Sequence, residues 1–151
     1  MVGYIIKTDM DKFEMVASAY GLFVRDNNIL LLRRFDTGFE DGNYGLPAGH
    51  VEDNESITSA ACREIKEETG VILKPQDVSL IHVMHRKGKD IRVDFFFEIH
   101  QWDTEPTNAE PHKCDDLSWF PINNLPTSTI PYIKEAIQNY QAKKNYSEFG
   151  W

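Results

Sequence analysis

Cysteine is nearly missing from this chain. Its 151 residues hold only Cys62 and Cys114, and neither sits in a CxxC pair. That argues against a disulfide framework or a structural zinc site and fits a reducing cytoplasmic setting. Long apolar runs are missing too, and nothing approaches the ~20 residues of a membrane-spanning helix. Val2 to Ile6 is too short for the core of a secretion signal, and Lys7, Asp9, Asp11 and Lys12 follow it closely. Basic charge is in deficit: 16 Lys and Arg stand against 24 Asp and Glu, for a formal net charge of −8. A nonspecific nucleic-acid binder would carry a basic face, so that class is disfavoured. A small anionic ligand is not excluded, because a bound cation reverses the local sign. There is no GxxxxGK[ST] phosphate loop, no internal repeat and no low-complexity tract. What is present is an ordinary globular composition, 41% hydrophobic and 26% charged, in a length that suits one domain over residues 1–151.

Periodicity divides the chain into alternating elements. A short edge strand is expected at Tyr4–Lys7 and a longer one from Met15 to Val24. Asp26-Asn27-Asn28 then turns the chain into a second strand, Ile29 to Arg34, whose unbroken Ile-Leu-Leu-Leu run predicts burial on both faces. Phe35 to Gly45 is a polar, glycine-containing loop of a size that often lines a site. It and the strand before it offer Arg33, Arg34, Phe35, Phe39 and Tyr44 as ligand contacts. Strands are expected over 76–86 and 91–100, joined by Lys87-Gly88-Lys89-Asp90, and a short one over 115–120. Side-chain alternation sends His82 and His85 to opposite faces, leaving His85 or Arg86 as outside ligand contacts. It also puts Arg92, Asp94, Phe96 and Glu98 on one more polar face, so Glu98 is a possible extra acid. A last helix is predicted from Ile130 to about Tyr146, followed by an aromatic tail, Ser147 to Trp151. Strands, helix, strands and helix indicate a sheet covered on both sides.

One stretch breaks the rules of helix design. Residues 55–69 read as a helix, stopped by Gly70, with Ile57, Ala61, Cys62 and Ile65 on a core-facing stripe. On the adjoining arc Glu64, Glu67 and Glu68 lie three and four residues apart, so their side chains converge. Like charges at those spacings destabilise a helix by about 0.2–0.5 kcal/mol per pair. They also stand near the C-terminal end, where the helix dipole disfavours anions. Two broken local rules in one place mark a functional site. The natural compensator is a divalent cation, and Mg2+ prefers hard oxygen ligands.

Gly49, five residues, Glu55, seven residues, Arg63-Glu64-Ile65, one residue, Glu67-Glu68, one residue, Gly70-Val71: this order resembles the signature of the Nudix hydrolases at all nine of its fixed positions over 23 residues. Leu46-Pro47-Ala48-Gly49 is similar to the family's approach to that box, with Ala48 where glycine is common. Trp119-Phe120-Pro121 followed by Leu125-Pro126 is similar to its last strand and turn, so the likeness spans roughly 15–140. The resemblance implies an α/β Nudix fold, an α/β/α sandwich with a mixed β-sheet and the box as loop–helix–loop. It implies hydrolysis of a nucleoside diphosphate linked to another moiety, with Mg2+ or Mn2+ as cofactor. Carried over, Glu64, Glu67 and Glu68 would hold the metal, helped by the Gly49 carbonyl. Arg63 would orient a box glutamate, and Glu55 would brace the loop by a charge pair. The proton-accepting acid varies in the family, and Glu67, Glu98, Glu110, Asp115 and Asp116 compete for that role here.

Subgroup marks favour a nucleoside triphosphate, ordinary or oxidised, by elimination. No proline stands between Pro75 and Pro106, unlike the ADP-ribose group, and no tyrosine occurs over 72–98, unlike the dinucleoside-polyphosphate group. ADP-ribose, a nucleotide sugar or a capped RNA end stays as the alternative, and a non-catalytic nucleotide sensor as a third. The expected substrate contacts are Arg33, Phe35, Tyr44, Asn108, Asp116 and Trp119, with Trp119 stacking on a base beside acceptors for its amines. Homodimers are common in the family, so a homodimer is possible.

Overall fold

A computed structural model describes residues 12–151, and the expected edge strand at Tyr4–Lys7 lies outside them. The elements in order are β1 (Val16–Leu22), β2 (Val24–Arg25), β3 (Asn28–Arg34), β4 (Tyr44–Gly45), β5 (Ala48–His50), α1 (Ile57–Thr69), β6 (Val78–Lys87), β7 (Ile91–Ile99), β8 (Cys114–Pro121), α2 (Pro131–Gln141) and β9 (Tyr146–Phe149). A 3-10 turn, Pro75–Asp77, delays the start of β6. Among the described residues no helix is long and apolar enough to cross a membrane.

Two sheets share the framework. One runs β5-β1-β7-β6-β9, and in the other β3 pairs with β2, β4 and β8. The first sheet is mixed: β1–β7 and β6–β9 are parallel, β5–β1 and β6–β7 antiparallel. Alternation along the strands feeds two cores. Tyr20, Leu22, Ile29, Leu31 and Phe96 pack toward α2 through Ile133 and Ile137, whereas Ala19, Leu30, Phe97 and Ile99 pack toward α1 through Ala60, Ala61 and Ile65. The Ile29-Leu30-Leu31-Leu32 run is therefore buried on both faces, as its unbroken apolar pattern predicts. The α/β/α layering is what this division of side chains requires.

Both ends of α1 are closed by local chemistry. Ser56 Oγ accepts from the Ser59 N–H at 3.1 Å, and Gly70, at φ +75°, donates its N–H to the Lys66 carbonyl at 2.9 Å. The last helix is shorter than the sequence predicts. It ends at Gln141, Lys143 takes φ +55°, and the chain then returns as β9. Gln141 to Asn145 carries no apolar side chain beyond Ala142 to continue the core stripe, and the edge of β6 offers unpaired backbone groups instead.

Candidate active site

The rule-breaking helix face of α1 lies under β5. Glu68 accepts a hydrogen bond from the Ala48 N–H at 2.9 Å. A Cβ at Gly49 would run into the Glu64 carboxylate, so glycine here leaves that carboxylate its place. Arg63 gathers the acids around it. Its Nη2 and Nε donate to Glu55 at 2.7 and 3.0 Å, its Nη1 donates to Glu64 at 2.7 Å, and Nη2 also reaches the His50 carbonyl at 3.0 Å. Glu67 is only a weak partner, at 3.4 Å. Glu55 also accepts from the Glu52 N–H at 2.7 Å, tying the loop ahead of the helix to the helix itself.

These contacts sort the carboxylates electrostatically. The Arg63 guanidinium, then the Glu52 N–H, hold Glu55 down to about 2. Burial pushes Glu64 up against the pull of Arg63. Burial likewise pushes Glu68 up to about 8, opposed by the Ala48 N–H and reinforced by Glu64 and Glu110. Glu68 keeps some surface toward the cleft, yet protein atoms crowd it closely enough to strip most of its water.

The loop between β7 and β8 supplies the neighbouring acid. It is docked on the C-terminal end of α1, where the Thr107 and Ala109 N–H groups donate to the Thr69 and Glu68 carbonyls at 3.0 and 3.1 Å. Asn108 fixes the next turn: its Nδ2 donates to the Cys114 carbonyl at 2.7 Å and its Oδ1 accepts from the Glu110 N–H at 3.2 Å. Glu110 thereby stands on the cleft wall, with Lys113 at 3.5 Å.

A cleft of about 920 Å3 opens over these groups and crosses from one sheet to the other. One wing carries Arg34, Phe39 and Lys113. Arg34 donates to the Phe39 carbonyl at 2.6 Å and lies over its ring, and Asp41 pins this loop by accepting from the Thr37 and Gly38 N–H groups. The other wing carries Tyr20, Arg86, Arg92 and Tyr132. Arg86 is buried against Asp94 at 2.6 Å, with its guanidinium 3.8 Å from the Tyr132 ring centroid.

Gly49, Arg63, Glu64, Glu67, Glu68 and Glu110 line this cleft; Arg33, Phe35, Tyr44, Asn108, Asp116 and Trp119 do not. Arg33 faces away and pairs with Asp115 at 2.7 Å, because adjacent residues on β3 alternate and it is Arg34 that turns inward. Phe35 is exposed outside it, and Tyr44 packs on Phe120 and donates to Asp116. Trp119 donates Nε1–H to Glu105 at 3.3 Å with Arg25 stacked 4.4 Å over its ring, away from the cleft. Asn108 is occupied in the loop, and Glu98 accepts from Tyr140 Oη at 2.8 Å on the α2 side. Arg34 and Phe39, offered from the sequence as ligand contacts, and Arg86, an outside one, do line the cleft. Tyr20, His50, Lys113 and Tyr132 carried no local signal that could have found them.

Among the described residues no three His, Cys, Asp or Glu side chains close on one point as a finished metal cage. The donor chemistry nevertheless fits a hard divalent cation: carboxylate oxygens gather where burial makes an uncompensated anion costly, beside a strand kept bare of side chain.

Helix carboxylates and arginines lining one cleft suit a site for an anionic ligand beside a cation. The family follows from comparison: the NUDIX domain model matches residues 15–140, and the chain belongs to the Nudix hydrolase family. It is 32% identical over 148 residues to an ADP-ribose pyrophosphatase of Methanocaldococcus jannaschii, covering 93% of this chain and 84% of that one. It is 31% identical over 116 residues to the phosphatase NudJ of Escherichia coli, covering 72% and 76%. Among solved structures, a MutT NUDIX hydrolase from Burkholderia pseudomallei superposes with a TM-score of 0.76 at 29% identity, over 83% of this chain and 98% of that chain. Nudix hydrolases generally depend on a divalent metal.

Proposed function

We propose that this protein hydrolyses the phosphoric anhydride of a nucleoside diphosphate linked to a second group, with Mg2+ or Mn2+. The observation that carries the reading is that Glu64, Glu67 and Glu68 line one cleft together with two arginine–aromatic pairs, Arg34–Phe39 and Arg86–Tyr132. Glu64, Glu67, Glu68 and the Gly49 carbonyl would hold the cation. When bound, it neutralises the anhydride oxygens and acidifies water. Arg63 orients Glu64 through a 2.7 Å ion pair, and Glu55 braces Arg63 in turn. Of the five acids that compete for the water proton, Glu67 and Glu110 line the cleft. One of them takes the proton as the water oxygen bonds to phosphorus and the bridging P–O bond breaks, so that two phosphorylated products leave.

The two-winged cleft favours a substrate with a group at each end of the diphosphate, as in ADP-ribose, and the name of the Methanocaldococcus jannaschii relative points the same way. A nucleoside triphosphate, releasing monophosphate and pyrophosphate, is the second reading, supported by the absence of the ADP-ribose group's proline. A panel of ADP-ribose, nucleotide sugars, capped RNA and nucleoside triphosphates, scored for monophosphate and pyrophosphate with each metal, separates them. Glu67→Gln and Glu68→Gln should each abolish turnover in a folded protein. Full activity in both variants would remove the assigned roles, and metal-dependent binding without any product would make the domain a sensor.

A further inference from the structure

The family match ends at residue 140, so β9 and the residues after it lie beyond that match. No residue of this segment lines the cleft, but it packs on residues that do. β9 runs parallel to β6 with Phe149 opposite Arg86, and the Phe149 ring meets the Tyr132 ring edge-on, centroids 6.2 Å apart. Arg86 and Tyr132 both line the substrate cleft and touch each other there. Phe149 thus meets the Tyr132 ring and is the strand partner of Arg86, two residues of one wing.

The segment is anchored on each side of that contact. Before it, the buried His82 holds the returning chain. The Lys144 carbonyl can only accept, so Nδ1–H donates to it at 2.7 Å, and Nε2 accepts from the Ser147 hydroxyl at 2.7 Å. After it, Gly150 turns at φ +83° where a Cβ would meet the Lys87 carbonyl oxygen. Trp151 Nε1–H then donates to the His85 carbonyl at 3.2 Å, and its ring lies 4.6 Å from the His85 ring with Lys87 above it. An unconstrained tail would have no need of a buried histidine clamp, a glycine turn and an aromatic anchor within eight residues of the end. Each of these orders chain at a cost in entropy, which the contacts must offset.

We propose that Tyr146–Trp151 is a specificity element of the cleft: Phe149, as a positioning residue, holds Tyr132 and Arg86 as a rigid cationic aromatic wall for the planar base of the nucleotide. This rests on the reading that the cleft takes a nucleotide. Aromatic side chains and arginine are the groups that bind a base face, and a wall that moves on its own would lose affinity to ordering. On that reading the reacting phosphates would lie by the α1 carboxylates, so the segment sets binding and leaves the chemical step alone.

The test measures AMP binding by calorimetry with Mg2+, together with KM and kcat on whichever panel substrate turns over. In Phe149→Ala the AMP affinity should fall by about tenfold and KM should rise to match, while kcat stays within about twofold. Phe149→Leu keeps most of the apolar bulk if alanine loosens the edge, and should show a loss of about threefold. A chain ending at Asn145 should behave at least as badly as Phe149→Ala. Unchanged AMP affinity and KM in a cooperatively melting Phe149→Leu or Phe149→Ala overturns the proposal and leaves the hydrolase reading standing. Equal losses in kcat would reduce Phe149 to general support and also overturn it. A wild-type protein that hydrolyses the panel but does not bind AMP overturns the base assignment alone. One that does neither overturns the hydrolase reading, and this proposal with it.

Discussion

Gly49 and Glu68 show how much of the site depends on single residues. At Gly49 the nearest obstacle to a side chain is the far end of Glu64, which can swing aside. Gly49→Ala should therefore cost little stability, below about 1.5 kcal/mol, because a flexible chain absorbs the overlap. It should cost activity heavily, on the order of a hundredfold, because Glu64 loses both its place and its Arg63 partner. Comparing melting temperature with kcat for this one variant checks the separation. At Glu68 the prediction concerns pH. Its folded value is raised to about 8 from 4.5, so between those values the unfolded chain gives up a proton that the folded chain keeps. Stability is then greatest at the acid end of this window and is lost as pH rises through about 8. In EDTA, the melting temperature should fall between pH 6 and pH 8.5, and Glu68→Gln should flatten that fall. Added Mg2+ or Mn2+ should restore stability at the alkaline end, since it binds the ionised form. A pH profile identical in wild type and Glu68→Gln would show that Glu68 is not held in this state.

Elements differ in how much of their role is written locally. α1 was legible because its start, stop, core stripe and acidic arc all lie within residues 55–70, and each depends on neighbours three or four positions away. The strands were legible in position but not in facing. Arg33 and Arg34 are adjacent, and alternation alone says only that one of them turns toward the cleft; the choice is made by pairing with β4 and β8. Glu98 was placed correctly on the more polar face of β7, but that face meets α2, where Tyr140 takes it. Asn108 illustrates the same limit for loops: a polar side chain with a donor and an acceptor suits a nucleobase, and here it serves its own backbone. That difference is measurable. Asn108→Ala should leave KM nearly unchanged and lower kcat by about tenfold if Glu110 takes the water proton, since the loop that carries it loses its clamp. The stability cost should be about 1–2 kcal/mol, that of two lost side-chain hydrogen bonds. A raised KM with unchanged kcat would return Asn108 to the substrate.

At the scale of the whole molecule the sheets act as a partition. The hydrophobic pattern announced two helices and a twofold-covered sheet, but the tail that closes the edge of β6 depends on a pairing between residues more than sixty positions apart, which no local window contains. The partition keeps the two cores separate. Ile65 belongs to the cluster under α1 and Ile137 to the cluster under α2; both are fully buried, and the clusters have no buried member in common. Removing one methylene from either should cost about 0.5–1.5 kcal/mol, the lost burial plus the small void left behind. If the sheets shield each core from the other, the costs are independent: Ile65→Val with Ile137→Val should equal the sum of the single variants to within about 0.5 kcal/mol. The consequences for function should differ as well. Ile65 lies beside Glu64 on the helix that carries the acids, so its loss should lower kcat, whereas Ile137 sits one helix layer away on α2 and should leave kcat alone. Urea melts of the four proteins with matched slopes give the coupling energy. A coupling well above 1 kcal/mol would mean that strain crosses the sheet, and that the α2 side, with Tyr132 and Arg86, is mechanically tied to the acidic helix.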